Sequence, residues 1–345
     1  MPLIADVFNG DAFNAVELTS AVNVVPNTYG RLQELDLMPG EGAPTTSVAV
    51  QFVNGELNLL PTRARGGPPS LGTKEKRNIR SFEIPHIPHD DFVLAKDVQN
   101  VVSLGGNVLE NVQDMVNRKL ATMRRKHAIT LEFLRMGALS GQILDADGSL
   151  IYDLFAEFGV TQKTINFDFA GTKPGIAGKC RQVTGYLEDN LLGDVMTSVH
   201  ALCSPEFFDS VVSDKDVQDA YKYFSSSPQA NPLRDDVRRM FPFQGIMFEE
   251  YRGSATQLAE DGSKVRRRFI PAGEARFFPR GTTETFSTYF APGDFMDVVN
   301  TPGLEVYARQ AMDLEFWRWV KLHTQSNPLP LCKRPSLLVR GTSAA

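Results

Sequence analysis

The sequence predicts a mixed α+β fold, and three features of its hydropathy pattern lead to that prediction. Strand-like segments come in clusters, without the regular strand–helix alternation of a parallel sheet. One long segment, about residues 107–137, has the apolar spacing of an amphipathic helix. Residues 1–44 carry few helix or strand signals, so an extended arm is expected to precede the folded body.

The composition is that of an ordinary globular protein. The chain has 345 residues, of which 42% are hydrophobic and 22% charged, enough for one large domain or two modest ones. The net charge of -5 argues against a dedicated nucleic-acid binder, which usually carries a basic excess. A weakly acidic protein can still face packed DNA, because it does not adhere to the phosphates.

The cysteines and the N-terminus indicate a cytoplasmic protein. Cys180, Cys203 and Cys332 are widely separated, so no pair has metal-ligand spacing, and an odd number suits a reducing compartment. Residues 1–13 lack a basic start before an apolar run, so no signal peptide is expected. No apolar stretch reaches membrane-spanning length, and no membrane association is predicted.

The N-terminal arm, residues 1–44, alternates short apolar pieces with prolines and glycines. At most a short helix around Ala12–Val22 is expected in it. Such a segment cannot bury much of its own surface. We therefore expect the arm to take its order from a neighbouring copy.

An extended loop is predicted for residues 45–90. Thr45–Pro61 has the pattern of two strands around an Asn54-Gly55 turn, a strong hairpin signal. Asn78–His86 alternates again and is expected to return the chain as a strand, which gives a long two-stranded ribbon. An isolated ribbon is only marginally stable in water, so this one is expected to lie on another surface.

The tip of the ribbon is basic and rich in glycine and proline. The hinge candidates are Gly66, Gly67 and Pro68, and the candidates for inter-subunit contact are Arg63, Arg65, Lys74, Lys76 and Arg77. Arg266–Arg268 form a second basic run. Either run could contact nucleic acid, but neither is interleaved with the aromatic residues of a base-stacking platform. Contact with solvent or protein is the favoured interpretation of both.

The long helix is the clearest single element. Its apolar stripe advances by three and four residues through Leu109, Val112, Val116, Leu120, Met123, His127, Leu131 and Leu134. Asn107 and Glu110 resemble a capping box, and Gly137 marks the predicted end. About thirty residues give a rod of roughly 45 Å. Basic residues are predicted on the opposite face: Arg118, Arg124, Arg125, Lys126 and Arg135.

Shorter elements are predicted after the helix. A hairpin is expected around Asp147-Gly148, and helices at Ala177–Leu192 and, as two short pieces, within Pro205–Phe224. The predicted strands are Lys163–Phe169, Thr197–Leu202, Phe241–Arg252, Lys264–Pro279, Leu314–His323 and Ser336–Arg340.

Two clusters have residues that metal ions prefer. The first is His86, His89, Asp90 and Asp91, but the prolines among them prevent a helix that would bring the histidines together. A strand end that turns into a loop is favoured. Asp145–Ser149 resembles the start of a calcium loop, yet its glycine is misplaced and the twelfth position lacks the bidentate Glu. A hairpin turn is favoured there.

Catalytic patterns are incomplete wherever they begin. His127 lies on the apolar stripe with no nucleophile or acid beside it, which favours a buried or interface histidine over a general base. Gly72-Thr73-Lys74 lacks the glycine spacing of a phosphate loop, and Gly137–Gly141 lacks that of a nucleophile elbow. The sequence therefore predicts no enzyme and no cofactor or metal site.

The order of arm, basic ribbon, long helix and mixed body resembles the Hong Kong 97-type capsid fold. More specifically, the chain resembles the lambda-type major head proteins of tailed phages, the phage capsid protein E family. The residues that carry this resemblance are RARGGPPSL at Arg63–Leu71, RRFIPAGEARFFPRG at Arg267–Gly281 and SNPLPLCKRPSLLVR at Ser326–Arg340. The matching order spans nearly the whole chain.

The resemblance implies an icosahedral shell of hexamers and pentamers around packaged double-stranded DNA. It implies scaffold, portal and decoration proteins as partners, DNA in non-specific proximity, and a place in the virion after assembly in the host cytoplasm. It divides the chain into the arm, the ribbon, a peripheral domain (91–175), an axial domain (176–312) and strands that return to the peripheral domain (313–345). The Lys–Asn cross-link of some such shells is not predicted here.

Two other classes stay open. A decoration or tail-tube subunit is usually shorter and β-rich, without such a long helix. A nucleic-acid-processing enzyme needs a carboxylate cluster or a phosphate loop, and the sequence has neither. Negative-stain microscopy of the chain expressed alone separates the three, because shells, hexamer sheets or tubes favour the capsid subunit.

Overall fold

Helices and strands follow one another in no regular order, which agrees with the predicted α+β class. A computed structural model describes residues 18–19, 23, 30–53, 77–99, 112–169, 175–219, 240–258 and 264–343. Its helices are α1 (Arg31–Glu34), α2 (Ala95–Val98), α3 (Val112–Ser140), α4 (Leu154–Phe158), α5 (Ile176–Asn190) and α6 (Pro205–Ser213), with short 3-10 helices at Met296–Val298 and Pro335–Leu337.

The strands in the same residues pair into one six-stranded sheet, two three-stranded sheets and three two-stranded ribbons. They are β1 (Gly40–Gly42), β2 (Ser47–Val53), β3 (Arg77–Glu83), β4 (Ile87–Leu94), β5 (Gln142–Leu144), β6 (Leu150–Asp153), β7 (Lys163–Asn166), β8 (Ser198–Cys203), β9 (Met240–Phe243), β10 (Ile246–Glu250), β11 (Ser254–Leu258), β12 (Lys264–Arg268), β13 (Glu274–Arg280), β14 (Phe286–Phe290), β15 (Tyr307–Met312), β16 (Trp319–Ser326), β17 (Pro328–Cys332) and β18 (Val339–Thr342).

One of two compact units contains the described residues within 1–49, 81–133 and 287–331. Its antiparallel sheet has the order β15-β16-β4. One face of this sheet packs against the apolar stripe of α3, and removal of that surface from water, at about 25 cal/mol per Å², stabilises the unit. The buried cluster consists of Leu18, Val93, Val116, Leu120, Met123, Val306, Ala308, Val320 and Leu322.

The other unit contains the described residues within 50–80, 134–286 and 332–345. Its sheet has the order β7-β18-β13-β8-β10-β9 and mixes parallel with antiparallel pairs. The apolar faces of α5 and α6 share one buried cluster with Phe277 and Val339 of the sheet. The Phe277 ring stacks on Phe167 at a centroid distance of 5.4 Å, and Phe207 meets Phe167 edge-on at 5.2 Å. The last strand, β18, therefore lies in this sheet, whereas β16 lies in the first unit.

The two helices of this unit follow from their local sequence. In α5 the buried residues recur at steps of four, three and four: Ile176, Cys180, Val183 and Leu187. α6 begins with Pro205 after Ser204, whose hydroxyl accepts a hydrogen bond from the Phe207 amide at 3.3 Å. The second short helix predicted here is present at 215–219.

No helix in the described ranges is long and apolar enough to cross a membrane.

The long helix α3 has 29 residues, and its predicted capping residues lie outside the described part of the chain. The end predicted at Gly137 is wrong, because the helix runs through it and Gly141 follows with a φ of 82°. Gly137 allows close packing instead: a Cβ there would lie 2.9 Å from the carbonyl oxygen of Gln142. Gly141 is the left-handed residue that terminates the helix.

Two of the basic residues predicted on the exposed face of α3 are buried, since Arg124 is 3% exposed and Arg135 is 5% exposed. The prediction that these two arginines are exposed is wrong, because the buried surface of α3 is wider than the predicted apolar stripe. Glu132 also lies in it, at 4% exposure, and accepts a hydrogen bond from the Leu32 amide at 3.2 Å. The remaining basic residues are exposed as predicted: Arg118, Arg125 and Lys126.

The extended loop starts and ends as a two-stranded ribbon, in which β2 pairs with β3. The first strand predicted within Thr45–Pro61 is present as β2, whereas the turn at Asn54-Gly55 and the second strand lie outside the described part of the chain, with residues 54–76. The predicted return strand is confirmed.

The shorter elements agree with their sequence patterns. β5 and β6 form the hairpin predicted around Asp147-Gly148, with Gly148 at a φ of 93°. Strands overlap every predicted strand segment: they are β7, β8, β9, β10, β12, β13, β16 and β18. The prediction is wrong for the start of Leu314–His323, where residues 313–318 form a turn.

The described part of the N-terminal arm is packed on its own chain. β1 runs parallel to β14, with Gly40 opposite Thr288. The expectation that the arm needs a neighbouring copy is therefore wrong for residues 30–43. Its apolar residues are spaced irregularly, so no helix or strand period indicates that they are buried. The buried residues are Leu32, Leu35, Leu37, Met38 and Ala43.

Candidate assembly surfaces

Most residues predicted to make inter-subunit contacts lie outside the described part of the chain. This holds for Arg63, Arg65, Lys74 and Lys76, and for the hinge candidates Gly66, Gly67 and Pro68. Of Arg77 only the backbone is described, as the first residue of β3. The contact and hinge roles of these residues stay predictions.

The base of the ribbon exposes an apolar side chain beside a charged one. Ile79 is 62% exposed, whereas Phe82 on the same strand is 1% exposed. Arg80 pairs with Glu157 at 3.1 Å, and both side chains are exposed, at 44% and 40%, so this ion pair adds little stability. Ile79 is therefore a candidate contact residue. It belongs to the strand that the alternating pattern of Asn78–His86 predicts.

Side chains of the N-terminal arm close the outer edge of the sheet β15-β16-β4. The Thr19 hydroxyl donates to the Ala308 carbonyl and accepts from the Ala308 amide, each at 3.2 Å. Asn23 Nδ2 donates to the Val306 carbonyl at 2.9 Å. Unpaired groups on an edge strand can otherwise recruit a strand from another chain. The arm therefore blocks strand addition at this point of β15.

Polar residues are enclosed between α3 and the same sheet. His127 is 5% exposed, and its Nε2 lies 2.9 Å from the Thr324 hydroxyl. Because that hydroxyl donates to the His89 carbonyl at 3.2 Å, His127 Nε2 is the donor of the pair. Burial, followed by the nearby His89 and Arg124, lowers the pKa of His127 to about 4. The predicted buried histidine is confirmed, and it is neutral at pH 7.

The four residues considered as a metal site contact different partners. His86 contacts Asn327 at 2.9 Å, His89 contacts Lys126 at 3.0 Å, Asp90 contacts Lys321 and His323, and Asp91 contacts Lys119 at 2.9 Å. Within the residues that the structure describes, no group of three or more His, Cys, Asp or Glu side chains is placed to hold a metal. The predicted strand end that turns into a loop is confirmed for residues 83–86, where β3 ends at Glu83, but the prediction of a loop is wrong for His89, Asp90 and Asp91, which lie within β4.

The outer face of the sheet is charged and aromatic. Asp90 Oδ2 lies 2.7 Å from Lys321 Nζ, and this hydrogen bond is the main reason that the pKa of Asp90 is lowered. Phe92 is 43% exposed and meets Trp319 edge-on at 5.9 Å. A face with exposed aromatic rings and both signs of charge is suited to contact with another protein.

A buried ion pair ties α3 to the loop before β15. Arg124 Nη2 lies 2.6 Å from Glu305 Oε1, and the two side chains are 4% and 25% exposed. Arg124 Nε and Nη1 have no hydrogen-bond partner among the described residues. Arg124 therefore depends on Glu305 to offset the cost of burying its charge.

The second basic run lies in the β11–β12 ribbon. Arg268 Nη1 is 2.5 Å from Glu206 Oε1, and Arg266 Nε donates to the Ser254 hydroxyl at 2.9 Å. Arg267 lies over the β5–β6 turn, where a Cβ on Gly148 would be 2.6 Å from its guanidinium. Arg267 and Arg268 therefore contact other parts of the same unit, whereas Arg266 contacts the neighbouring strand of its own ribbon.

An exposed apolar turn connects β15 to β16, and sequence reasoning placed a strand there. The carboxylate of Asp313 accepts hydrogen bonds from the amides of Glu315 and Phe316 at 3.2 and 3.4 Å, which bends the chain. Leu314 is 80% exposed and Phe316 is 65% exposed. The aspartate before an apolar run was the signal for a turn.

Known proteins match the chain along almost its whole length. A family model described as phage major capsid protein E matches residues 14–343. The chain is 33% identical to the major capsid protein of Pseudomonas phage KPP10 over an alignment of 347 residues. The alignment covers 96% of this chain and 97% of the phage protein. The chain is 25% identical over 355 residues to the major capsid protein of Salmonella phage Felix O1, covering 95% of each.

Solved structures with little sequence identity share the fold. The putative capsid protein of a prophage of E. coli CFT073 has a TM-score of 0.57 at 11% identity and covers 96% of this chain and 99% of its own. The capsid of cyanophage P-SCSP1u has a TM-score of 0.54 at 9% identity and covers 92% of this chain and 89% of its own.

Proposed function

The chain belongs to the phage major capsid protein E family, and we propose that its copies form the hexamers and pentamers of an icosahedral shell around double-stranded DNA. The observation that carries this proposal is the family match over residues 14–343. The Hong Kong 97-type fold of the chain supports it, because the same architecture is found in phage capsids. The virion is the corresponding location.

The surfaces described above suit a subunit that meets its copies on several sides. The outer face of β15-β16-β4 presents Phe92 and the Asp90–Lys321 pair, and the base of the ribbon presents Ile79. Complementary charges around apolar contacts fix the register of subunits more than they add affinity. The protein thus acts through its surfaces, and we propose no enzymatic activity for it.

Scaffold, portal and decoration proteins are the further partners that we propose. Double-stranded DNA is proposed as a non-specific neighbour of the shell. The net charge of -5 supports proximity without tight binding, and the partners of Arg266 and Arg268 within the chain support it too. Assembly in the host cytoplasm is consistent with three buried, unpaired cysteines.

Expression of the full chain, alone and with a candidate scaffold protein, tests the shell function. Size-exclusion chromatography and negative-stain microscopy should show closed shells, tubes or hexamer sheets. A chain that stays monomeric under all assembly conditions would contradict the proposal, as would magnesium-dependent cleavage of DNA by the monomer.

The basic loop candidates have a charge-matched test. Replacement of Arg63, Arg65, Lys74 and Lys76 by Ser should lower the yield of shells and weaken its salt dependence, because complementary charges guide subunits together. The control replaces four exposed cations elsewhere by Ser: Arg181, Lys215, Arg252 and Lys264. Equal loss in both variants would argue against a specific role for the loop.

A further inference from the structure

The turn between β15 and β16 exposes large apolar side chains next to one another. Leu314 is 80% exposed, Phe316 is 65% exposed and Trp317 is 41% exposed. Apolar side chains that are scattered singly over a surface are ordinary, whereas adjacent ones mark a place where another molecule binds. This turn is therefore the strongest candidate for an uncharacterised contact.

The turn has a fixed conformation. Asp313 Oδ1 accepts from the amides of Glu315 and Phe316, and its Oδ2 accepts from the Arg318 amide at 3.3 Å. The Trp317 amide donates to the Asp313 carbonyl at 3.2 Å, and the Arg318 guanidinium lies over the Phe316 ring at 4.7 Å. A partner that binds a preformed turn loses little conformational entropy.

A cavity of about 320 Å³ opens beside the turn in the same unit. Its lining is mainly apolar and includes Val98, Val112, Met312, Trp319 and Val320, with Arg318 as its charged member. Pockets that bind small molecules have volumes of about 300–1,000 Å³, so this one is small. It suits one or two apolar side chains better than an extended ligand.

The turn and the cavity have complementary charges. The turn carries the exposed carboxylate of Glu315 between its two apolar residues. The cavity is lined by the exposed Arg318, and the exposed Lys96 belongs to α2, whose residues Ala95 and Val98 also line it. Arg318 belongs to the turn and also lines the cavity, so each copy presents a self-complementary surface with the Glu315 carboxylate, the cations Arg318 and Lys96, and apolar side chains.

We propose that Leu314 and Phe316 of one copy cover the cavity of a second copy, with Glu315 against the Arg318 and Lys96 of that copy. A second copy is the occupant because one chain carries both complementary halves. The turn and the cavity adjoin in each copy and share Trp317 and Arg318, so two copies can make the contact reciprocally, as in an isologous pair, or pass it on from copy to copy as an array. This inference rests on the proposed function, which requires an ordered array of copies.

Cross-linking between two single-cysteine variants tests the contact. One chain carries Leu314→Cys, the other carries Val98→Cys, and a mass tag distinguishes them. The native Cys180, Cys203 and Cys332 are 0% exposed, so a short bismaleimide should leave them unmodified. We expect Leu314→Cys to join Val98→Cys in assembled particles and not in free subunits.

Two results would overturn the inference while leaving the shell function intact. One is well-formed particles in which Leu314→Cys links only to another Leu314→Cys. The other is well-formed particles without any such cross-link. Particles that contain Val195→Cys, 73% exposed in the other unit, and Val98→Cys are the control for random cross-linking. If the unaltered chain forms no particles, the proposed function itself fails.

Charge reversal gives a second readout that needs no cysteine. Glu315→Arg alone and Arg318→Glu alone should each raise the subunit concentration needed for assembly roughly tenfold. The double variant, which restores opposite charges, should recover part of that loss. Leu314→Ser should lower assembly without changing the thermal midpoint of the free subunit. Single reversals that assemble as the unaltered chain does would count against the contact.

Discussion

The hydroxyl of Thr19 satisfies both backbone groups of Ala308, since it donates to the carbonyl and accepts from the amide at 3.2 Å each. Thr19 belongs to the N-terminal arm and Ala308 to an edge strand, so the side chain stands where a further strand would pair. The side chain of an arm residue thereby completes the hydrogen bonding of this edge, and the sequence of the arm does not indicate this.

Thr19→Val should destabilise the free subunit by about 1–3 kcal/mol, because it leaves two buried backbone groups without their partner. The change keeps the size of the side chain. Denaturant unfolding followed by tryptophan fluorescence measures the loss, and amide exchange at Ala308 should become faster. Thr122→Val is the matched control, since its exposed hydroxyl bonds only to the carbonyl of Arg118 within α3. An equal effect of both changes would show that Thr19 has no special role.

Acid should destabilise the subunit through His127. Its pKa is lowered from 6.5 to about 4 in the folded chain, so below pH 6.5 the unfolded chain binds the proton and the folded chain does not. The stability is therefore complete above pH 6.5 and is lost as the pH falls to about 4, by about 3 kcal/mol in all. His127→Gln, which can still donate to Thr324, should remove most of this slope.

The pH slope of His127→Gln is measured by unfolding between pH 4 and 7. A smaller slope should remain, because burial also lowers the pKa of His89. The control is His86→Gln, since His86 is exposed. A slope in His127→Gln equal to that of the unaltered chain would contradict the assignment.

Glu305→Gln should destabilise the first unit more than Arg124→Met does. The former leaves a buried guanidinium without its counter-charge, which costs about 3 kcal/mol or more. The latter leaves a carboxylate that is partly in solvent and fills the space with an apolar side chain, for a cost of about 1 kcal/mol. Urea midpoints of both variants decide the order, and the reverse order would mean that Arg124 is compensated elsewhere.

Two glycines should respond to alanine in opposite directions. Gly141→Ala should destabilise by about 2 kcal/mol or more, because a Cβ there would lie 2.0 Å from the Phe155 ring and φ is 82°. Gly185→Ala, inside α5 with nothing within 4 Å, should stabilise by about 0.5–1 kcal/mol. Thermal midpoints of the free subunits test both. A loss of stability in Gly185→Ala would indicate crowding that the structure does not contain.

Local sequence patterns predicted the elements that bury one regular face. The steps of four and three in α5 and the apolar run of β8 both indicate their elements, because periodicity and burial coincide there. The buried Leu32 and Leu35 have no such period, and tertiary contacts alone bury them. Arg124 was placed on the wrong face because its partner Glu305 lies 181 positions away.

The candidate surfaces were only partly predictable for the same reason. Charge and glycine content point to Arg63–Arg77 as a projecting loop, since those properties are local. The apolar turn at Leu314 and Phe316 depends on the hydrogen bonds that Asp313 accepts from the amides of Glu315 and Phe316. The apolar residues of this segment have the pattern of a strand, so the pattern does not predict the turn. The cavity beside it is formed by α2, α3 and β16 together, so no single segment indicates it.

The pairing of β1 with β14 also constrains how the chain is made. The Thr288 hydroxyl donates to the carbonyl of Met38, 250 positions earlier. A ribosome that adds about 5–20 residues per second needs tens of seconds to cover that distance. During this time the first strand has emerged and its partner has not yet been synthesised. Nascent chains that stop before residue 286 should therefore be bound by chaperones or degraded, and the synthesis of β14 is the event that allows β1 to pair.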